Sequence, residues 1–133
     1  MDGVLIHLFA PDVPVQLIAA DDIGAFAALA FNHPAAYLGE SLEIAGDELT
    51  PLQTVSLISS VLDREITYRQ VPIDDAAGLG GDAARAFANR RGLWRADIPA
   101  LRERHPDLLG FPAWLKRGGA ARIEKLLTAA ATA

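Results

Sequence analysis

Four consecutive residues, Thr50-Pro51-Leu52-Gln53, constrain this chain more than any other segment. Thr50 has the side chain of an N-cap, and Pro51 fits the first helical position, where its missing amide costs nothing. Gln53 stands three residues after the cap and can close a capping box. Leu52, Val55, Ile58 and Leu62 then recur at spacings of three and four, so one stripe of the helix is expected to face a core. The helix should end near Asp63-Arg64. Ile66 to Val71 reads as a strand closed by Pro72. A helix delivered directly into a strand implies a mixed α/β fold.

The remaining segments fit that class. Val4 to Phe9 reads as a strand and Val15 to Ile18 as a shorter one, with Pro11 and Pro14 favouring edge positions. Asp21-Asp22 precede an Ala-rich helical run from Ile23 to Phe31, as caps and dipole partners would. Pro34 disfavours helical geometry at His33 and stops it. Tyr37 to Glu40 reads as a turn into a strand over Ser41 to Ala45, closed by Gly46-Asp47; Asp47 and Glu48 are read as turn chemistry. Gly78, Gly80 and Gly81 interrupt the next stretch, and Asp82 is read as capping a short helix through Asn89. Asp97 should cap another that includes Leu101. Phe111 to Lys116 and Ala120 to Leu127 read as the last helical pieces, the Ala-rich 117–133 forming a C-terminal helix or tail. The expected architecture is a single domain over 1–133, with a small three- to four-stranded sheet and packed helices.

Composition removes several function classes. With 51% hydrophobic and 22% charged residues, the 133-residue chain has enough apolar surface to offset the entropy of ordering. A net charge of −5, from 12 Lys+Arg against 17 Asp+Glu, argues against a nucleic-acid binder. The absence of cysteine excludes a disulfide framework, thiolate metal ligation and a Cys nucleophile. No stretch approaches the ~20 apolar residues that span a bilayer. The start lacks the features of a signal peptide. A cytoplasmic location, away from membranes, is the default expectation.

One ordered series of short motifs carries a resemblance. Asp21-Asp22-Ile23-Gly24 is followed by the run from Tyr37 to Thr50, with its Gly39 and Ile44-Ala45-Gly46-Asp47, and then by Leu49-Thr50 opening a helix. Tyr68 to Pro72 completes a Y-x-x-V-P strand, and Asp97 to Leu101, His105-Pro106 and Phe111 to Leu115 follow. From about Gly3 to Lys116 this resembles the C-terminal, substrate-side part of NmrA-like proteins, atypical members of the short-chain dehydrogenase/reductase superfamily. The resemblance implies an α/β fold whose cofactor site belongs to an N-terminal Rossmann half.

That half's signature is missing from this sequence. A dinucleotide site needs a Gly-rich turn whose amides approach the pyrophosphate at a helix N-terminus. Gly78-Leu79-Gly80-Gly81 has neither the spacing nor a preceding strand, and reads as a flexible turn. Neither Tyr37 nor Tyr68 has a lysine four residues on; the two lysines are Lys116 and Lys125. No bound cofactor is expected, and stand-alone hydride transfer is not.

Asp21, Asp22 and Asp97 are the candidate acid–base carboxylates, each with helix capping as the plainer role. Tyr68, Trp94, Phe111 and Trp114 are the candidate substrate wall, because the resembling family places this region on its substrate side; core packing is the plainer role. His7, His33 and His105 show no ligand-pair spacing, so no metal site is expected. No Ser stands in a nucleophile elbow. Arg85, Arg90, Arg91 and Arg95 form a basic cluster, by default a solvated face, otherwise an anion site. The leading expectation is a binding or regulatory module for a small apolar ligand or a protein. A cofactor-independent isomerase, cyclase or hydrolase is the alternative, and a split or truncated piece of an NAD(P)-dependent oxidoreductase the third. Apolar surface left bare by a missing Rossmann half implies a homodimer or a partner chain that covers it.

Overall fold

The computed structural model describes residues 3–75 and 94–131. In chain order they form β1 (Gly3–His7), β2 (Val15–Leu17), α1 (Ala20–Asn32), α2 (Pro34–Tyr37), β3 (Asp47–Leu49), α3 (Pro51–Leu62) and β4 (Ile66–Gln70). After the gap come α4 (Ile98–Arg104), α5 (Phe111–Trp114), a kinked junction (Leu115–Gly119) and α6 (Ala120–Ala131). The class is mixed α/β, but the strands do not join one sheet. They make two separate pairs, β1 with β4 and β2 with β3.

The first pair is parallel, with Gly3 opposite Ile66 and His7 opposite Gln70. Parallel strands need a long crossover, here everything from β2 through α3. Alternation along the strands puts Gly3, Leu5, Ile66 and Tyr68 inward, while Val4, Ile6, Thr67 and Arg69 face out. The inner face packs on Val55, Ile58 and Leu62 of α3, on Leu115, and on Ile123 and Leu127 of α6. The α3 stripe is therefore narrower than its sequence spacing implies: Leu52, 51% exposed, stands outside it.

The capping box forms in full. Gln53 N donates to Thr50 Oγ1 at 3.1 Å, and Thr50 N donates to Gln53 Oε1 at 2.8 Å. Asp63 ends α3 in the left-handed region at φ 50°, and its amide reaches the Ser59 carbonyl. The Ser59 hydroxyl in turn accepts from Ile66 N at 3.0 Å, which ties the end of α3 to the start of β4.

The second pair is antiparallel, Val15 to Leu49 and Leu17 to Asp47. It corrects the strand expected over Ser41 to Ala45. That segment is extended but finds no ladder; Ile44 packs instead beside a second core of Phe26, Leu101 and Leu108. Pairing begins after Gly46, so Asp47 and Glu48 lie inside β3 and not in a turn behind it. Gly46 N donates to the Leu17 carbonyl at 2.7 Å, and a Cβ at this position would overlap the Leu109 carbonyl oxygen. Only glycine allows the 108–110 segment to pass so close.

One further expectation changes. Asp21 and Asp22 do not cap α1: the cap position is Ala19, with no side-chain bond, and both carboxylates lie in the first turn. The last two helical pieces stay distinct, as expected: they meet at a kink where Gly118 has φ 124°, outside helical geometry, and Gly119 leaves room for the Trp114 indole against its backbone. The helix expected over Asp82 to Asn89, and Arg85, Arg90 and Arg91, lie outside the described residues.

Because the capping box satisfies two amides that α3 cannot satisfy itself, Thr50→Ala should lower stability by ~1 kcal/mol. Urea denaturation would measure it, with a shifted midpoint and an unchanged slope.

Candidate functional site

Residues 105–111 form a wall held from three sides. Asp22, only 5% exposed, accepts from His105 Nε2 at 2.9 Å through one oxygen and from Leu109 N at 3.0 Å through the other. Asp47 Oδ2 accepts from Phe111 N at 2.7 Å, while its Oδ1 accepts from Glu48 N at 2.9 Å. Arg102 donates to the Leu108 carbonyl at 3.0 Å and to the Gly46 carbonyl at 3.1 Å. Apart from the His105 contact, which joins two side chains, these bonds satisfy backbone groups. The His105 ring meets Phe26 edge to face at 5.7 Å, which joins this wall to the second core.

A cleft of about 260 Å³ opens between this wall, the start of α1 and the start of α6. Leu17, Ile18, Ala19 and Ala20 line one side, and Leu109, Gly110, Phe111 and Trp114 the other. Phe111 and Trp114 stack at 5.7 Å with an 18° interplanar angle. The polar side chains on the lining are Asp21, Asp47 and Arg122. An apolar body with a few polar groups at its edge is the composition of a small-molecule site.

The structure thus brings together Asp21, Phe111 and Trp114 from the expected residues. It places the others elsewhere. Asp22 stands behind the cleft wall with both oxygens engaged. Asp97 caps α4, accepting from Ala100 N at 3.0 Å. The Tyr68 hydroxyl donates to the Phe9 carbonyl, and Trp94 meets the Phe9 ring edge to face at 6.0 Å. Phe9, His7, Tyr68 and Trp94 form their own aromatic group outside the cleft lining; His7 stacks on Phe9 at 4.7 Å. Burial pushes the Tyr68 hydroxyl above its ordinary pKa and His7 below its own. Arg95 offers its backbone amide to Glu43 at 3.0 Å and is otherwise exposed.

Sequence reasoning missed Asp47 and Arg122. The Gly46-Asp47 element announced a special backbone, but not a carboxylate holding Phe111 across 64 positions. Nothing local marks Arg122, which lines the cleft from the first turn of α6, after the kink at Gly118. Among the described residues no cluster of three His, Asp or Glu side chains could hold a metal, and no helix is long and apolar enough to cross a membrane.

With this geometry in place, comparison with known proteins adds the family. The sequence profile of the NmrA-like family matches residues 4–88, more than half of the chain. The chain belongs to the NmrA-like family. No curated protein matches it. Among solved structures it is similar to NmrA, a negative transcriptional regulator, in complex with NADP (19% identity, TM-score 0.60) and in complex with NAD (18%, 0.60). Each match covers 80% of this chain and 40% of that one. At such identity the likeness shows the shared NmrA fold, and this chain spans well under half the length of those relatives.

The three aspartates make a ranked test. Asp22→Ala strands a buried amide and the His105 ring and should cost about 1–3 kcal/mol. Asp97→Ala, the loss of a helix cap, should cost ~1 kcal/mol, and Asp21→Ala under about 0.5 kcal/mol. Urea denaturation of the three variants would give this order.

His7 supplies a pH dependence. Its folded pKa lies below the ordinary 6.5, so its contribution is fully present above that value and is lost as pH falls through the folded one. His7→Phe keeps an aromatic ring on Phe9 without the titration. It should lose less stability than the parent between about pH 7 and pH 5, as thermal denaturation at each pH would report.

Proposed function

We propose that the chain is a binding or regulatory module of the NmrA-like family, holding a small ligand with an apolar body in the Trp114 cleft without a nicotinamide cofactor of its own. The cleft carries this reading: a preformed apolar hollow with stacked aromatics on one wall and three polar side chains on its lining. Its volume of about 260 Å³ falls below the ~300–1,000 Å³ of drug-sized sites, which suits a metabolite of one or two rings better than a dinucleotide. The sequence lacks the Gly-rich turn that a pyrophosphate needs. The regulatory half of the reading rests on fold analogy with the solved transcriptional regulator.

In this reading the chain corresponds to the C-terminal, substrate-side portion of the family's fold. Its support is the order of motifs from Asp21-Asp22-Ile23-Gly24 to Phe111, together with the 40% coverage of the solved relatives. Association follows as the companion proposal. Phe31 and Leu38 are 87% and 86% exposed, and Val4 and Ile6 leave the β1 side of the parallel pair's outer face apolar. A homodimer, or a partner chain supplying the nucleotide-binding part of a split oxidoreductase, would cover such surface. The enzymatic alternative narrows to Asp21, since Asp22 and Asp97 hold backbone amides and only Asp21 lines the cleft.

Light scattering with and without NADPH, paired with NADPH titration calorimetry, tests both proposals. A stable dimer of unchanged mass and no heat of NADPH binding is expected. A monodisperse monomer would remove the association proposal. NADPH binding by the isolated chain would overturn the cofactor-less reading.

A further inference from the structure

Asp21 and Arg122 line the same cleft from different elements, the first turn of α1 and the first turn of α6. Opposite charges sharing a concave site normally pair. These do not: no ion pair joins them, and neither side chain has a hydrogen bond or ion pair with another described residue. Asp47, the third charged group on the lining, differs, because both its oxygens accept backbone amides at 2.9 and 2.7 Å. The cleft therefore presents one open acceptor and one open guanidinium, with the aromatic pair Phe111–Trp114 on the wall.

We propose that the cleft binds a small aromatic zwitterion: a single planar ring carrying a carboxylate for Arg122 and a primary ammonium for Asp21. This rests on the reading of the cleft as a ligand site and names the ligand's chemistry. A planar ring offers its face to Trp114 and Phe111, the contact that stacked aromatic walls favour. A guanidinium receives a carboxylate through two parallel N–H donors, which fixes the ring's orientation as well as adding affinity. The ammonium completes Asp21 and offsets the negative potential that Asp47 adds to the lining. Neither charge of such a ligand is buried without a partner, so desolvation on entry is compensated at both ends. A ligand with only a carboxylate forgoes the pair with Asp21, and one with only an amine forgoes the pair with Arg122. The site thus discriminates by what each incomplete ligand leaves unsatisfied.

Four probes on one ring separate the contributions: 4-(aminomethyl)benzoate, 4-methylbenzoate without the amine, 4-methylbenzylamine without the acid, and neutral 4-methylbenzyl alcohol. Binding would be followed by NMR through the Trp114 indole N–H and the Phe111 and Leu109 amides. The zwitterion should bind tightest, with removal of either charge weakening it about tenfold, the size of a charge-assisted bond. Arg122→Ala should abolish the advantage of the zwitterion over the amine, and Asp21→Asn its advantage over the acid. Both residues are exposed and unpaired, so both variants should keep the parent's thermal denaturation. If the neutral alcohol matches the zwitterion while shifting the same resonances, the charge assignment is overturned and the cleft reading stands. If none of the four shifts them, the cleft reading falls and the proposal with it.

Discussion

The buried carboxylate of Asp22 joins parts of the chain that no regular element connects. Its two oxygens take His105 and the Leu109 amide, more than eighty positions away, and so dock the 105–111 segment on the start of α1. A buried carboxylate without partners would be strongly destabilising, so the position is tolerable only in this arrangement. Asp47 and Arg102 repeat the device on either side of it. The three together hold an irregular segment as firmly as a ladder holds a strand, and that segment is one wall of the cleft. The cleft surface is thus built on a hydrogen-bonded backbone, and a ligand taken up there would meet a preformed site.

A division of labour among carboxylates follows. Asp22, Asp47 and Asp97 each accept a backbone amide and hold structure, while Asp21, adjacent to Asp22 in sequence, lines the cleft. One residue along a helix turns a side chain by about a quarter-turn or slightly more, which is enough to separate a buried strut from a site-facing acid. The aromatic residues divide likewise: Phe111 and Trp114 serve the cleft, whereas Tyr68 and Trp94 enclose Phe9 beside the parallel pair.

Local signals were readable wherever the stabilising contact was itself local. The capping box of α3, the Asp97 cap, the stop at Pro34 and the strands read over Val4 to Phe9 and Ile66 to Val71, which form as Gly3–His7 and Ile66–Gln70, involve residues a few positions apart or a simple alternation. Ser41 to Ala45 carries an equally good alternation, yet no strand forms, because alternation says which face is apolar and not whether a neighbour is present to accept the ladder. Leu52 shows the same limit within a helix: spacing selected it, and the width of the opposing surface left it out.

By itself the sequence determined the mixed α/β class, the main helix and its cap, the parallel strands' positions and the family resemblance, since each rests on short-range hydrogen bonding or on the period of apolar residues. Only the tertiary structure decided that the strands form two pairs, that Asp22 is a strut, and that Asp21 and Arg122 share a cleft without pairing. Those outcomes depend on contacts between residues dozens of positions apart. Their energies are fixed by the approach of whole elements, and no local pattern encodes that approach.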